Sequence, residues 1–335
     1  MWRYIVAGIL LLLGSCNLVR DDQPVKLIGE AQGTYYSIIY FDSQQRDFQY
    51  EIDSILDAFD QSVSLWLPES ILSKVNNNIK DITLDDYFVD NFQLAKMVSK
   101  ETNGAFDFTV GSLVKAWGFG YDHHMQVDSI IIDSLLQLVG HEKVSIVNNR
   151  VVKQNPHTTF DFNAIAQGYS VDVICEFLDS KLIENYLVDI GGEVRALGQK
   201  ANGNPWKIGI ERPAEDPDNS RDLTAIIKLE NQSVATSGNY RKYFEEDGVR
   251  YSHMINPSTG YPARHNLLSV SIVTNNTALA DAYATACMVI GLEKSIDFIE
   301  NRDDLDAFFI FTDDSGAYNV YATDGFSKLI ISEFN

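Results

Sequence analysis

Apolar residues recur at helical spacing in several stretches of the chain, and these stretches predict its main helices. From Asp47 to Ser62 the apolar positions 52, 55, 56 and 59 fall on one helical face. A second helix is predicted from Asp85 or Asp86 to Thr102, where Asn103-Gly104 gives a typical C-terminal stop. The remaining predicted helices are Val127 to Leu138, Asn163 to Leu182, Thr277 to Ile290 and Glu293 to Asn301.

Shorter stretches rich in β-branched and aromatic residues predict strands, and Lys143 to Gln154 predicts a hairpin that turns at Asn148-Asn149. The other predicted strands are Gly33 to Phe41, Tyr186 to Ile190, Glu193 to Leu197, Trp206 to Glu211, Leu223 to Leu229, Ser269 to Thr274, Ala307 to Phe311 and Ala317 to Tyr321. Because strands and helices do not strictly alternate, we expect an α+β fold with largely antiparallel sheets and packed helices.

The N-terminus has the features of a targeting segment. Arg3 precedes an apolar stretch from Ile5 to Leu13, which is shorter than the roughly 20 residues that a membrane-spanning helix needs. Leu13-Gly14-Ser15-Cys16 then resembles a bacterial lipobox, with Cys16 as the lipidated residue. We therefore predict a signal peptide at 1–15, a lipidated tether at 16–26 and one domain at 27–335. The alternative is an ordinary secretory signal with an incidental cysteine.

Composition narrows the possible partners. The formal net charge of −21 argues against nucleic acid and makes a phosphate ligand unfavourable unless a nearby cation offsets the charge. An acidic protein that handles phosphate is therefore expected to use a metal. Cys175 and Cys287 lie in apolar helical contexts, which favours buried free thiols, although pairing in an oxidising compartment stays open.

Two predicted helix starts carry groups that could bind a metal phosphate. Asp161 ends a strand just before the small-residue helix opening at 163–168, where free N–H groups and a carbonyl such as that of Ala164 could face a ligand. Asp281 and Thr285 are four residues apart and therefore share a helix face, and their oxygen atoms suit Mg²⁺. The structural alternatives are a helix cap for Asp161 and a dipole-offsetting role for Asp281.

Three further segments combine turn residues with aromatic or ionisable groups. Glycines bracket aromatic residues in 104–111 and 117–120, a pattern that suits either a slot for a planar ring or core packing. A strand turns through Gly191-Gly192 to Glu193, which either lines a cleft or merely bends the chain. From Val234 to Pro262, small residues precede a basic-aromatic cluster, His253 and a turn rich in Asn, Pro, Ser, Thr and Gly, so this segment favours an anionic ligand.

Together these segments resemble the ApbE family, the FAD:protein FMN transferases, in lipoprotein form. The resemblance extends from about Gly33 to at least Gly291. It rests on separated motifs in the family's order, namely GTYYSI, GAFDFTVG, WGFG, DFNAIAQGY, VDIGGEVRALG, VATSGNYRKYF, HMINPSTGYP and ADAYATA. It implies an architecture related to the T-fold, with two lobes around a flavin cleft. No G-x-G-x-x-G fingerprint or Walker loop is present in the sequence, which leaves Rossmann and P-loop folds without support.

The resemblance also implies a reaction and roles for individual residues. Family members cut the pyrophosphate of FAD, release AMP and join FMN through a phosphoester to a Ser or Thr of a partner protein. By similarity, His253 would be the general base, and Mg²⁺ would be held by Ala164 through its carbonyl, by Asp281 and by Thr285. The implied FAD contacts are Gln32, Trp66, Ala105, Phe106, Asp107, Asp161, Gln167 and Ile255.

The sequence departs from the family pattern at three of these places. Position 284, which carries a further acid in some members, is Ala284 here. Many relatives have Lys at the position of Gln167 and Tyr at that of Trp66. The loss of the lysine shifts more charge neutralisation onto the metal, whereas Trp66 keeps a stacking surface.

Two alternative functions remain open at this point. An FAD pyrophosphatase would use the same metal site with water as the acceptor, and a non-catalytic flavin-binding lipoprotein would bind FAD without turnover. For a transferase, the resemblance implies FAD as substrate, a flavoprotein partner such as a subunit of an Rnf-type or Nqr-type redox pump, and a membrane-anchored location facing the periplasm.

Overall fold

The computed structural model describes residues 23–119, 127–213, 222–239 and 254–334, and the backbone alone of 243–246 and 249–252. It confirms the predicted α+β class. The strands are β1 Val25–Ala31, β2 Thr34–Tyr40, β3 Val144–Val147, β4 Arg150–Lys153, β5 Tyr186–Ile190, β6 Glu193–Leu197, β7 Trp206–Glu211, β8 Leu223–Leu229, β9 Gln232–Gly238, β10 Tyr243–Glu246, β11 Val249–Ser252, β12 Leu267–Thr274, β13 Asp306–Thr312, β14 Tyr318–Ala322 and β15 Ile330–Glu333.

The helices agree closely with the periodicity of the sequence, and Asp85 and Asn276 cap two of them through side-chain acceptors. They are α1 Gln49–Val63, α2 Ile71–Asn76, α3 Asp86–Glu101, α4 Gly111–Ala116, α5 Ser129–Leu136, α6 Ala166–Ser180, α7 Thr277–Ile290, α8 Leu292–Glu300 and α9 Asp324–Ser327. In the part of the chain that the structure describes, no helix combines the length and apolarity that crossing a membrane requires.

An antiparallel eight-stranded sheet organises the molecule, in the order β1-β2-β5-β6-β9-β12-β13-β14. One face packs against a three-stranded sheet of β15, β8 and β7, through a core that includes Trp206, Phe308 and Phe326. The other face is covered by helices, with α6 and α7 lying across β6, β9 and β12. The helices that carry the predicted metal ligands therefore lie directly on the centre of the large sheet.

Two observations concern the predicted start of the domain and the state of the two cysteines. β1 begins at Val25, which pairs with Tyr40, so this strand includes the last two residues of the segment assigned to the tether. Cys175 and Cys287 are both buried free thiols, as the apolar contexts of the two residues indicated.

Candidate functional site

The site forms where α6 and α7 cross at close range. A Cβ on Gly168 would lie only 2.4 Å from the Thr277 carbonyl oxygen, so this approach requires a glycine. Asp281 follows Thr277 by about one helical turn and therefore lies beside the first turn of α6. Its Oδ2 accepts a hydrogen bond from the Gly168 N–H at 3.2 Å. Asp281 thus caps α6, the neighbouring helix, and not its own.

This hydrogen bond has a consequence for the Ala164 carbonyl. In a regular α-helix the N–H of residue 168 would donate to the carbonyl of residue 164. Here that N–H donates to Asp281 instead. Among the described residues no backbone N–H donates to the Ala164 oxygen. A carboxylate and an available carbonyl oxygen therefore lie at the same end of α6.

Thr285 extends the same face of α7 by one more turn. Its Oγ1 lies 3.2 Å from Oγ of Ser237, a residue of β9, so the two hydroxyls share a hydrogen bond. Asp281 is 6% exposed, whereas Thr285 is half-buried. The face that carries both residues therefore runs from the interior towards solvent.

A second carboxylate, that of Glu193, reaches the site from the start of β6. The Gln167 amide nitrogen donates to Glu193 Oε2 and also to the Ile190 carbonyl, at 2.9 Å in the second case. Gly191 makes room for this arrangement, because a Cβ there would lie 2.1 Å from the same nitrogen. The glycine pair thus does more than bend the chain, since it brings Gln167 and Glu193 together.

Burial raises the pKa of both acids, and the charge of Asp281 adds to the effect at Glu193. Burial raises the pKa of Asp281 to about 7. Burial first, and then the charge of Asp281, raises the pKa of Glu193 well above its usual value. Neither acid has a Lys, Arg or His ion-pair partner among the residues described. Both carboxylates would be stabilised as anions by a cation placed between them and solvent.

The chemistry of the available donors fits a hard divalent cation. Carboxylate, hydroxyl and backbone carbonyl oxygens are ligands that Mg²⁺ accepts, with water or phosphate oxygens completing the shell. Within the described ranges, no group of three or more His, Cys, Asp or Glu side chains is arranged to hold a metal. Any cation here would therefore depend on Thr285 and the Ala164 carbonyl as well as on acids.

Gln32 joins the site from the β1–β2 turn. It adopts a left-handed φ of 55°, and its Oε1 accepts from the Ser170 hydroxyl of α6 at 3.3 Å. A cleft of about 500 Å³ runs along this hairpin. The residues that line it are Glu30, Ala31, Gly33, Thr34 and Tyr35. Gln32 thus lies between this cleft and the α6–α7 crossing.

The stretch Ala105–Asp107 is buried in the protein, although a loop that contacts a ligand would normally be exposed. Ala105 and Phe106 are buried in the main core, and Phe108 makes edge-to-face contacts with Phe92 and Phe160. Asp107 accepts from Thr109 through one oxygen and from the His141 N–H through the other, at 2.9 Å. Contact between this stretch and FAD stays a prediction.

Asp161 connects that loop to the start of α6. Its N–H donates to the Phe108 carbonyl at 2.7 Å, and its Oδ1 accepts from the Asn163 N–H at 2.8 Å. The second contact closes a local turn and is not the helix cap that the sequence left open, because α6 begins at Ala166 with Ile165 as its N-cap. Burial raises the pKa of Asp161.

The other predicted contacts lie elsewhere. Ile255 is buried against α4 and α5 and bridges to Pro262, and Trp66 lies in the loop after α1 with 55% of its surface exposed. His253 and Cys16 lie outside the described residues.

Two contributors were absent from the predicted site. Glu193 could have been selected, since it follows the Gly-Gly turn and its strand alternation puts it on the same face as Arg195, towards the helices. Ser237 had only a weak signal, because its role depends on the pairing of β9 with β12 beneath α7.

Comparison with known proteins points to one family. The model of the ApbE family matches residues 32–309. The FAD:protein FMN transferase of Vibrio cholerae is 35% identical, over 98% of both chains. That of Escherichia coli K12 is 30% identical, over 92% of this chain and 90% of its own.

Solved structures agree with this result. The flavin transferase ApbE from Vibrio cholerae superposes with a TM-score of 0.80 at 33% identity, covering 92% of this chain and 99% of that one. The apo form of the flavinyl transferase ApbE from Pseudomonas stutzeri gives 0.83 at 31% identity, with coverage of 93% and 98%.

Proposed function

Because this chain belongs to the ApbE family, we propose that it transfers FMN from FAD to a Ser or Thr hydroxyl of a target flavoprotein. The names of its relatives support the activity, since they describe FAD:protein FMN transferases. The observation that carries the proposal is the α6–α7 crossing. At this crossing the Asp281 carboxylate and the Ala164 carbonyl both lie at the N-terminal end of α6.

In this proposal the crossing holds a metal pyrophosphate. Asp281, Thr285 and the Ala164 carbonyl would hold Mg²⁺, which would polarise a phosphoryl oxygen of FAD. The N-terminal turn of α6 directs N–H groups and the positive end of its dipole towards the phosphates. Gln167 belongs to this turn, and Gln32 contacts Ser170 just after it. Trp66, Asp161, Ile255 and the 105–107 stretch would complete the FAD site, as the family resemblance implies.

The transfer itself exchanges a phosphoanhydride bond of FAD for a phosphoester bond to the acceptor. The hydroxyl oxygen of the acceptor forms a bond to the FMN phosphorus while the bond from that phosphorus to the AMP oxygen breaks. His253 would take the hydroxyl proton, and AMP would leave as an anion. An imidazole with a pKa near 6.5 suits proton transfer at neutral pH.

Incubation with FAD, Mg²⁺ and a candidate acceptor, followed by intact-mass analysis of the acceptor, tests this proposal. We expect the acceptor mass to rise by one FMN residue, with one AMP released for each modification. AMP and free FMN without modified acceptor would favour a pyrophosphatase. FAD binding without AMP would favour a flavin-binding lipoprotein. Omission of Mg²⁺ is the matched control.

The location is a separate part of the proposal. Lipidation at Cys16 would anchor the chain to a membrane, facing the periplasm, where subunits of Rnf-type or Nqr-type redox pumps are candidate acceptors. We expect Cys16→Ala to move the protein from the membrane fraction to the soluble fraction while leaving FAD cleavage in vitro unchanged. Retention of the variant in the membrane fraction would contradict the lipid anchor.

A further inference from the structure

The first N–H groups of α7 donate to acceptors from another helix as well as to the helix's own N-cap. Asn276 serves as the local cap, because its side chain accepts from the Leu279 N–H at 2.9 Å. Asp172, which belongs to α6, takes the two preceding donors. Its Oδ1 accepts from the Thr277 N–H at 3.0 Å and its Oδ2 from the Ala278 N–H at 2.9 Å. The first turn of α7 is therefore held from a neighbouring helix as well as from its own cap.

Arg195 holds Asp172 from the opposite side. Its guanidinium lies 3.5 Å from Asp172 Oδ1 and donates to the Asn275 carbonyl, just before the cap. Only 5% of the Asp172 surface is exposed to solvent. An acid this deeply buried needs its hydrogen bonds and its cationic partner.

These contacts connect the elements that supply the site. Asp172 follows Gly168 on α6 by one turn, and Gly168 contacts both Thr277 and Asp281 of α7. Arg195 follows Glu193 on β6 by two residues, so both side chains lie on the helix-facing side of the sheet. Because an α-helix rises about 1.5 Å and turns about 100° per residue, a shift of α7 by one residue in register would place Asp281 on a different side of its helix, away from Ala164.

We propose that Asp172 and Arg195 are a positioning pair that sets the register of α7 against α6 and β6, and thereby the affinity of the Asp281 site for a divalent cation. Neither residue touches the cation. The inference rests on the metal site proposed above. Substitution of such supporting residues typically weakens metal binding about 10–100-fold.

The test is Mn²⁺ binding to the FAD-free protein, measured from the free-ion paramagnetic resonance signal well below the unfolding temperature. We expect Asp172→Asn to raise the dissociation constant about tenfold or more. Arg195→Lys, which keeps the charge but not the planar guanidinium that contacts both Asp172 and the Asn275 carbonyl, should give a smaller rise in the same direction. The Arg195→Lys variant also tests the inference if Asp172→Asn does not fold.

Thr323→Ala is the matched control. Thr323 is a buried residue that caps α9 and bonds to Asp306 and Ala307, far along the chain from the site. We expect this variant to lower stability without changing Mn²⁺ affinity. Unchanged affinity in both folded variants of the positioning pair would overturn the inference, because a merely structural pair would lower stability alone.

Amide hydrogen exchange separates this inference from the metal proposal. In metal-free protein we expect Asp172→Asn, but not Thr323→Ala, to speed exchange at 164–168 and at the start of α7. If the native protein binds no Mn²⁺, the proposed metal site is wrong and exchange alone decides the positioning role. Equal exchange in the native protein and Asp172→Asn would then overturn it.

Discussion

At the residue scale, Asp281 carries more of the proposed chemistry than any other described side chain. It caps α6 beside the Ala164 carbonyl, and burial raises its pKa to about 7. A cation at this position would both hold the carboxylate ionised and offset the acidity of the protein. For both reasons we expect the metal ligand Asp281 to contribute more to the reaction rate than the general base His253.

We therefore expect Asp281→Ala to reduce AMP release from FAD more than His253→Ala does. A positioned general base contributes about 10²–10⁴ in rate. Lewis-acid polarisation contributes several kcal/mol in addition to holding the substrate. The measurement is AMP release with Mg²⁺ and an acceptor present, with Asp303→Ala as an exposed-acid control. A loss in His253→Ala that equals or exceeds that of Asp281→Ala would reverse the ranking.

Asp60 shows a different consequence of burying an acid near the cleft. Burial, followed by the nearby Asp57 charge, raises its pKa to about 6, while a hydrogen bond from the Gln32 backbone opposes the shift. Because the pKa of Asp60 in the folded protein is above its usual value of 3.8, the unfolded chain ionises first as the pH rises. Asp60 therefore costs stability increasingly between about pH 4 and pH 6, and the cost persists at neutral pH.

Asp60→Asn removes this cost and keeps an oxygen acceptor for the Gln32 N–H. Because the side chain is only partly buried, solvent screening reduces the effect to about 1 kcal/mol at pH 7.5. We expect urea unfolding to show this gain at pH 7.5 and little gain at pH 4. Asp314→Asn, on an exposed turn, is the control. An equal gain at both pH values would exclude the ionisation of Asp60 as the cause.

At the element scale, the crossing of α6 and α7 depends on one glycine. Inside a helix, Gly to Ala normally stabilises by up to about 1 kcal/mol. At Gly168 the added Cβ would lie 2.4 Å from the Thr277 carbonyl oxygen, so the sign should reverse. We expect Gly168→Ala to destabilise the protein by about 1–3 kcal/mol, the usual cost of overpacking.

Calorimetric unfolding and Mn²⁺ binding together check this prediction. Gly316→Ala is the matched control, because its Cβ would meet nothing within 4 Å while its φ of 82° still disfavours alanine. It should lose stability without losing Mn²⁺ affinity, whereas Gly168→Ala should lose both. A Gly168→Ala variant with native stability would show that the crossing is looser than the structure indicates.

Elements with strong local signals were predictable from the sequence, and their assembly was not. The bounds of β5, β6, β7, β8 and α7 match the predicted segments, because alternation, turn residues and helical spacing are local properties. The short helices α2 and α4 were missed because six residues cannot display a clear period. β15 was missed because its partner β8 lies about one hundred residues away in sequence.

The same reasoning applies to the site. The spacing of Asp281 and Thr285 predicted their shared face, since it depends only on helix geometry. The hydrogen bond that gives Asp281 its role comes from Gly168, a residue of another helix, and no local pattern reveals it. Glu193 reaches Gln167 through a turn between strands, so its contribution likewise depends on tertiary contacts.

At the scale of the whole molecule, the formal net charge of −21 opposes an anionic dinucleotide. Charges separated by more than the Debye length, about 30 Å at 10 mM salt and about 8 Å at 150 mM, are largely screened. Added salt should therefore remove most of the long-range repulsion of FAD. It should leave the short-range demand for a cation at Asp281 and Glu193 unchanged.

We accordingly expect FAD to bind more tightly at 150 mM than at 10 mM NaCl when EDTA is present, the reverse of the usual weakening of an ionic contact. Mg²⁺ at the same ionic strength should tighten binding further, by at least about tenfold, the scale of a lost metal contact. Flavin fluorescence titration under the three conditions measures both effects, with Asp281→Ala as the variant that should lose only the Mg²⁺ step. Weaker FAD binding at higher salt in EDTA would show that nearby basic side chains, and not the overall charge, control the approach of FAD, because screening would then be removing attraction.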